Sequence, residues 1–208
     1  MIFALDLEGC LAPEIWPVLG ATYGHPDFAL TTRDIGDFDE LMRRRVAAAR
    51  AANISLADMQ KLAHAVEPYL GAREFVARLR AMGNVVIISD TFHEFSEPLA
   101  AKLGGVNLFA NRFELDEHGM LTGFKLRIRG QKERIVSGFK SAGYKVAAMG
   151  DSMNDYSLLH SCDLPVLYRP VEALRKAVPN GFVADNLDDA LEHFERAKKH
   201  LDEHGELP

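Results

Sequence analysis

Three short apolar runs in this chain, residues 2–5, 85–88 and 146–149, each lead into a polar segment. Their length and continuous apolar character are typical of strands buried on both faces of a sheet. The polar segments that follow are Asp6-Leu7-Glu8-Gly9, Ser89-Asp90-Thr91 and Gly150-Asp151-Ser152-Met153-Asn154-Asp155. Because parallel strands end at the same edge of an α/β sheet, we expect these segments to meet in one crevice.

The rest of the chain alternates between helical and strand patterns. Between the first strand and residue 69 there is no strand pattern, but residues 37–53 show helical spacing, and Ser55 with Asp58 predicts a capping box. The predicted elements downstream are a helix at 72–82, a strand at 84–88, a helix at 95–103, a strand from 107 and a hairpin turning at His118-Gly119. The elements predicted after the hairpin lie at 131–142, 144–149, 153–160, 164–167, 170–177 and 187–202.

This order of elements predicts an α/β fold with a doubly wound parallel sheet and a Rossmann-like core. We expect residues 1–12 and 70–208 to form the core, with a small β-hairpin, and residues 13–69 to form a helical cap. At the local level, Pro170 is expected at the first position of a helix, and residues 202–208 are expected to fray.

Composition and charge narrow the functional classes. Of the 208 residues, 48% are hydrophobic and 26% charged, which is typical of a soluble globular protein. No apolar run reaches the ~18–20 residues of a membrane span, and Met1 leads directly into the first strand, so we expect neither a membrane protein nor a signal peptide. The two cysteines lack metal or redox spacing, which favours the cytoplasm. A net charge of −6 disfavours nucleic acid and anionic membranes as partners.

Carboxylates gathered at one sheet edge repel one another unless a cation holds them together. Asp6 and Asp151 follow two of the predicted buried strands. Hard oxygen ligands favour Mg²⁺, so the sequence predicts a magnesium site at this edge.

The polar segments, taken in order with Lys132, resemble the four motifs of the haloacid dehalogenase (HAD) superfamily of phosphotransferases. Within it, the chain is most similar to phosphoserine phosphatases, and closer still to the phosphoserine:homoserine phosphotransferase branch. The stretches that carry this likeness are Asp6-Leu7-Glu8-Gly9, Pro13-Glu14-Ile15-Trp16, Thr31-Thr32-Arg33-Asp34-Ile35 and Ser89-Asp90-Thr91-Phe92. The wider superfamily usually has aspartate where this chain has Glu8, and the homoserine branch shares the glutamate.

The resemblance implies a role for each motif. Asp6 is the expected nucleophile, which forms an aspartyl-phosphate, and Glu8 the expected acid/base. Asp6, Asp151 and the Glu8 backbone carbonyl are the expected Mg²⁺ ligands. Ser89 and Lys132 are expected to hold the phosphoryl oxygens. The further residues implied in substrate or phosphate binding are Asp90, Thr91 and Asn154, and Asp155 is expected to orient Lys132 or a metal-bound water.

Each of these residues also has an ordinary structural interpretation. Ser89 could be a turn hydroxyl, and Lys132 could belong to a solvated basic face, since residues 125–134 are rich in lysine and arginine. Arg45 falls within the apolar stripe of the 37–53 helix, where it is either a structural ion pair or a clamp for a substrate carboxylate. Glu14 is either a carboxylate at a helix N-terminus or the partner of a substrate ammonium.

The expected function is that of a Mg²⁺-dependent enzyme that dephosphorylates O-phospho-L-serine and transfers the phosphoryl group to homoserine. A phosphatase for another small phosphomonoester, a phosphoamine or a sugar phosphate, is the nearest alternative, and a non-catalytic phospho-acceptor switch is a further one. The sequence assigns no role to Thr32, Arg33 or His93, and it leaves the oligomeric state open.

Overall fold

A computed structural model of the chain describes residues 1–32, 34–127 and 131–208. The strands within these ranges are β1 (Ile2–Leu5), β2 (Asn84–Phe92), β3 (Asn107–Leu115), β4 (Leu121–Lys125), β5 (Val146–Gly150), β6 (Leu164–Tyr168) and β7 (Phe182–Ala184). The helices are α1 (Ile15–Tyr23), α2 (Pro26–Ala29), α3 (Phe38–Ala51), α4 (Leu56–Ala65), α5 (Ala72–Met82), α6 (His93–Lys102), α7 (Glu133–Ser141), α8 (Tyr156–Ser161), α9 (Glu172–Ala177) and α10 (Leu187–His204), with a 3₁₀ turn at Met153–Asp155.

The strands form one sheet in the order β4-β3-β2-β1-β5-β6-β7, in which only the β3–β4 pairing is antiparallel. β1 lies at the centre and pairs with β2 and β5, so that Leu5 is level with Ile87 and Met149. Because the three strands run parallel, the polar segments at or beyond their carboxyl ends lie at the same edge of the sheet. The predicted α/β fold with a doubly wound sheet is confirmed.

Both faces of the sheet are covered by helices, which explains why the central strands are apolar throughout. In β1, Phe3 and Leu5 join a core that includes Phe75 and Phe194, whereas Ala4 lies in the core on the other face with Val136. None of the helices in the described ranges has both the length and the apolar character that crossing a membrane requires.

The segment between β1 and α5 is helical in the structure. Asp37 caps α3 by accepting from two backbone N–H groups, and the predicted capping box of Ser55 and Asp58 opens α4. The hairpin of β3 and β4 reaches this segment, since the backbone N–H of Leu56 donates to the carbonyl of Gly119 at 3.0 Å. The division into a cap of residues 13–69 and a core stays a prediction.

Several predicted element boundaries were wrong. β2 continues to Phe92, four residues beyond the predicted strand, and α6 therefore begins at His93. Pro170 is not the first residue of a helix, because Val171 is the N-cap and α9 begins at Glu172. Fraying from residue 202 was also wrong, since α10 continues to His204 and ends at Gly205 in a left-handed cap. The short strand β7 was missed.

Candidate active site

A buried lysine lies among carboxylates at the carboxyl end of β1. Lys132, which is 1% exposed, donates to Asp6 Oδ1 at 2.8 Å and to Asp155 Oδ1 at 2.7 Å, and Asp90 Oδ2 lies 3.4 Å from its Nζ. Lys132 is the N-cap residue of α7, whose start carries the side chain to the sheet edge. It therefore does not belong to a solvated basic face.

These charges shift one another's pKa values. Burial raises the pKa of Asp6 well above its usual value, Asp155 adds to the effect, and Lys132 opposes it. Burial alone would lower the pKa of Lys132, but Asp155, Asp6 and Asp90 together raise it well above its usual value. Lys132 is therefore a permanent cation, while Asp6 needs cationic neighbours to ionise.

Asp155 also forms hydrogen bonds that hold the loop after β5 in place. Its Oδ2 accepts from the backbone N–H groups of Asp151 at 3.0 Å and Ser152 at 3.2 Å, while its Oδ1 accepts from Lys132. The 3₁₀ turn that ends at Asp155 folds this fully buried side chain back under the loop. Asp155 thereby links the position of Asp151 to that of Lys132.

Two of the residues predicted to hold a metal, Asp6 and Asp151, lie together. With Cys10, which the sequence did not predict, each offers a ligand atom within 4.8 Å of the others, while the Glu8 carbonyl stays a predicted ligand. Gly9 leaves room for the Asp151 carboxylate, because a Cβ there would lie 2.6 Å from Asp151 Oδ2. Its φ of +89° is also a backbone conformation that favours glycine. Burial raises the pKa of the Cys10 thiol well above its usual value, so the thiol is neutral and the ionisable donors are oxygens. This donor set fits Mg²⁺.

Glu8 lies beside this cluster with a pKa suited to proton transfer. Its Oε1 accepts from the backbone N–H of Ile15 at 3.0 Å, where α1 begins. Burial raises the pKa of Glu8 to about 7, and the hydrogen bond from Ile15 works in the opposite direction. A carboxyl group with this pKa can give and take a proton near neutral pH.

The segment Ser89-Asp90-Thr91 forms one wall of the cleft and is held by a residue that the sequence analysis missed. The pairing of β2 with β3 shifts register between Ile88 and Phe92. Within that irregularity, the side-chain amide of Asn111 donates to the Asp90 carbonyl at 2.8 Å and accepts from the Arg127 backbone N–H at 2.9 Å. An asparagine that directly follows the apolar run Leu108-Phe109-Ala110 of β3 is the signal that could have identified it. Ser89 is buried and faces the cleft.

The opposite wall comes from the helical segment. The guanidinium of Arg45, which is 5% exposed, stacks on Trp16 at 4.4 Å, and its Nη2 donates to the Leu30 carbonyl at 2.6 Å. Its Nε has no hydrogen-bond partner, and no carboxylate of the described residues lies within ion-pair distance of it. Burial lowers the pKa of Arg45 to about 10, while the nearby Glu8 and Glu14 oppose that shift. The structural ion pair considered from the sequence is therefore not formed.

Glu14 is exposed, is the N-cap residue of α1 and makes no capping hydrogen bond.

The cleft has a volume of about 100 Å³. Its lining includes every predicted site residue except Asp155, which lies beneath it. The residues that line it are Asp6, Glu8, Glu14, Trp16, Thr31, Thr32, Phe38, Leu41, Arg45, Ser89, Asp90, Thr91, Phe92, Lys132, Asp151, Ser152 and Asn154.

The three residues without an assigned role fall in different places. Thr32 lines the cleft, whereas His93 begins α6 outside the lining. Arg33 lies outside the described residues. Cys10 is the other site neighbour that the sequence analysis did not identify, because its spacing from other cysteines and histidines carries no metal signal.

Comparisons with known proteins agree with the order of motifs. A model of the haloacid dehalogenase-like hydrolase family matches residues 5–160. The chain is 37% identical to the phosphoserine phosphatase ThrH of Pseudomonas aeruginosa over 196 residues, which cover 94% of this chain and 96% of that protein. It is also 37% identical to a phosphoserine phosphatase of Pseudomonas syringae pv. tomato over 196 residues, 94% of this chain and 83% of the relative. A solved phosphoserine phosphatase in apo form aligns with a TM-score of 0.77 at 21% identity, covering 93% of this chain and 97% of that one, a likeness that concerns the fold alone.

Proposed function

The chain belongs to the haloacid dehalogenase-like hydrolase family, and from that membership we propose that it is a Mg²⁺-dependent phosphoserine phosphatase acting through an aspartyl-phosphate. The observation that carries the proposal is the buried contact of Lys132 with Asp6 and Asp155, beside Asp151 and Glu8. The naming of two relatives at 37% identity as phosphoserine phosphatases supports the substrate.

In the first half of the reaction, a carboxylate oxygen of Asp6 attacks phosphorus and the bond from phosphorus to the serine oxygen breaks. Glu8 gives its proton to that oxygen, for which the pKa of about 7 is suited. Lys132, 2.8 Å from Asp6, stabilises the ionised nucleophile and the charge that spreads over the phosphoryl oxygens. Ser89 binds the same oxygens, and Asp155 keeps Lys132 in position.

In the second half, an incoming hydroxyl attacks phosphorus, Glu8 takes its proton, and the Asp6 carboxylate is released.

Asp6, Asp151 and the Glu8 carbonyl would hold Mg²⁺. Bound there, the ion would neutralise the phosphoryl charge and hold the Asp6 and Asp151 carboxylates together.

Recognition of serine rests on the walls of the cleft. Arg45, with its unpartnered Nε, would hold the substrate carboxylate, and the exposed Glu14 would hold the ammonium group. In this proposal, residues 13–69 form the cap that recognises the amino-acid part of the substrate, and residues 1–12 and 70–208 form the catalytic core. Asp90, Thr91 and Asn154 complete the substrate-binding surface.

The same recognition groups suit a second amino acid with a terminal hydroxyl. Homoserine differs from serine by one methylene, so Glu14 and Arg45 could hold it beside the aspartyl-phosphate. Correct orientation supplies effective molarities of ~10⁵ M or more, which would let it compete with water. We therefore include transfer to homoserine in the proposed function.

The test is to incubate the enzyme with Mg²⁺ and a panel of phosphoserine, phosphoethanolamine and a sugar phosphate, then to add homoserine and follow ³¹P NMR. We expect phosphoserine to be preferred and phosphohomoserine to form. Inorganic phosphate alone, at every homoserine concentration, would exclude transfer, and preference for another phosphomonoester would exclude phosphoserine.

Two variants check the mechanism in the same assay. Asp6→Asn keeps the size of the side chain but loses the nucleophile, so we expect no turnover and no aspartyl-phosphate. Asp188→Asn, an exposed position on α10, is the matched control and should retain full activity. A protein that acquires phosphate on Asp6 but turns over no phosphomonoester would be a phospho-acceptor switch.

A further inference from the structure

Thr91 has a buried hydroxyl that is not satisfied by the protein alone. Its side chain is 5% exposed and lines the cleft, yet within the described part of the chain Oγ1 makes no hydrogen bond of normal length and angle, and it interacts only weakly with the Glu8 carboxyl. Buried hydroxyls are almost always paired, because a desolvated and unpaired donor is unfavourable. Valine has nearly the same shape and would fill this position without that penalty. The hydroxyl therefore points to a partner that arrives with the substrate.

The neighbours of Thr91 identify which atom that partner is. The backbone N–H of Thr91 lies 3.5 Å from Ser89 Oγ, the hydroxyl proposed for the phosphoryl oxygens. The Thr91 side chain also forms a weak hydrogen bond with the Glu8 carboxyl, which lowers the pKa of Glu8 by less than burial raises it. Thr91 therefore lies between the phosphoryl-binding group and the acid/base. In a phosphomonoester, the ester oxygen is bonded to phosphorus and takes the proton from the acid/base, so it is the substrate atom that lies between these two groups.

We propose that Thr91 is a catalytic residue whose hydroxyl donates a hydrogen bond to the ester oxygen of the substrate, beside Glu8. This assignment rests on the proposed function and deepens it. When the bond between phosphorus and the ester oxygen breaks, the proton comes from Glu8, and Thr91 keeps its own proton while stabilising the developing negative charge. In the second half, the same hydroxyl orients the oxygen of the incoming alcohol or water, whose proton passes to Glu8.

The effect of losing a hydrogen bond to the ester oxygen depends on the leaving group, whereas the effect of losing packing does not. Two substrates with different leaving groups can therefore distinguish the two roles of Thr91. An alkoxide such as that of serine needs both a proton and a hydrogen bond as it departs. The 4-nitrophenolate ion is stable without either, so cleavage of 4-nitrophenyl phosphate depends little on groups at the ester oxygen. The value of kcat/KM reports the steps up to loss of the leaving group and is therefore the quantity to compare.

The experiment compares Thr91→Val and Thr91→Ser with the wild-type enzyme on phosphoserine and 4-nitrophenyl phosphate. We expect Thr91→Val to lower kcat/KM for phosphoserine about tenfold to a hundredfold, the range for one hydrogen bond to developing charge, and for 4-nitrophenyl phosphate less than about threefold. Thr91→Ser restores the hydroxyl and should stay within about threefold of wild type on both substrates. Circular dichroism and thermal unfolding of each variant verify the fold.

Equal losses on both substrates, or failure of Thr91→Ser to restore phosphoserine turnover, would overturn the assignment and leave Thr91 a packing residue. Failure of the proposed function gives a different result, since wild-type enzyme would then cleave 4-nitrophenyl phosphate but not phosphoserine. In that case the experiment uses the alkyl phosphomonoester that the enzyme does cleave in place of phosphoserine. The loss of kcat/KM on that substrate, relative to the loss on 4-nitrophenyl phosphate, then decides the role of Thr91.

Discussion

At the scale of single residues, Glu8 shows how position changes the chemistry of a side chain. The sequence identified this glutamate by its motif, but its pKa depends on burial that only the folded chain supplies. Burial raises the pKa from its usual value of 4.5 to about 7, so the folded protein favours the protonated form. The ionised form consequently costs stability, and that cost grows as the pH rises from 4.5 to 7 and stays constant above.

Replacing Glu8 with glutamine removes this cost and should stabilise the metal-free protein. Below pH 4.5 both side chains are neutral and the two proteins should unfold alike. At pH 8 the shift from 4.5 to about 7 corresponds to at most about 3 kcal/mol in favour of Glu8→Gln. Urea unfolding with EDTA at pH 4.5 and pH 8 measures the difference, and an advantage that does not grow with pH would contradict it.

Arg45 carries the second prediction at this scale. If it holds the substrate carboxylate, Arg45→Ala should reduce kcat/KM for phosphoserine about tenfold to a hundredfold, the effect of losing a charge-assisted hydrogen bond. Phosphoethanolamine has no carboxylate and should be affected much less. Arg45→Lys keeps the charge but loses the planar fork, so an intermediate loss is expected. Equal losses on both substrates would mean that the contacts of Arg45 with Trp16 and Leu30 are its main role.

At the scale of elements, the sequence predicted most features that depend on local pattern and missed mainly those that depend on distant partners. The apolar runs located β1, β2 and β5, and their parallel order brought Asp6, Ser89 and Asp151 to one edge. Pro170 was misplaced because the chain after β6 turns through Arg169, whose φ of +42° is stabilised by a hydrogen bond from its N–H to the carbonyl of Ala184. That partner lies in a strand that the sequence did not reveal.

The end of α10 has a local cause that the sequence analysis underestimated. Lys198 pairs with Asp202 one turn later, and Gly205 adopts a φ of +79° that caps the helix. The extension of β2 to Phe92 has a distant cause, since Phe92 stacks on Phe113 of β3 at 3.8 Å. A run of polar residues such as Ser89-Asp90-Thr91 gives no indication that a strand continues through it.

Asn111 should prove important for both stability and turnover, because it joins β3 to the segment that carries Ser89 and Thr91. Asn111→Asp keeps the acceptor for Arg127 but loses the donor to the Asp90 carbonyl. We expect a loss of about 1–3 kcal/mol in the free energy of unfolding and a lower kcat. Asn107→Asp, an exposed change at the start of the same strand, is the matched control. Loss of stability with unchanged kcat would show that Asn111 does not position the cleft wall.

At the scale of the whole molecule, the candidate site concentrates negative charge in a chain whose net charge is already −6. Asp6, Asp90 and Asp155 share the single ammonium group of Lys132, and Asp151 lies close to Asp6. Burial raises the pKa of Asp6, the charges of Asp155 and Asp151 add to the rise, and Lys132 opposes it, so negative charge at this edge of the sheet is only partly neutralised. A divalent cation bound there would stabilise the fold as well as assist the reaction.

We therefore expect Mg²⁺ to raise the melting temperature. At a hundredfold excess over Kd, binding contributes about 2.7 kcal/mol, or roughly 5–10 °C for a chain of about 200 residues. Because the raised pKa of Asp6 makes Mg²⁺ compete with a proton, the gain should be larger at pH 8 than at pH 5.5. Asp151→Asn should lose most of this gain, whereas Asp188→Asn should keep it, and NaCl at matched ionic strength should reproduce little of it. Scanning fluorimetry measures the melting temperatures. If Mg²⁺ raised the melting temperature of wild type and Asp151→Asn equally, the ion would be binding elsewhere on the molecule.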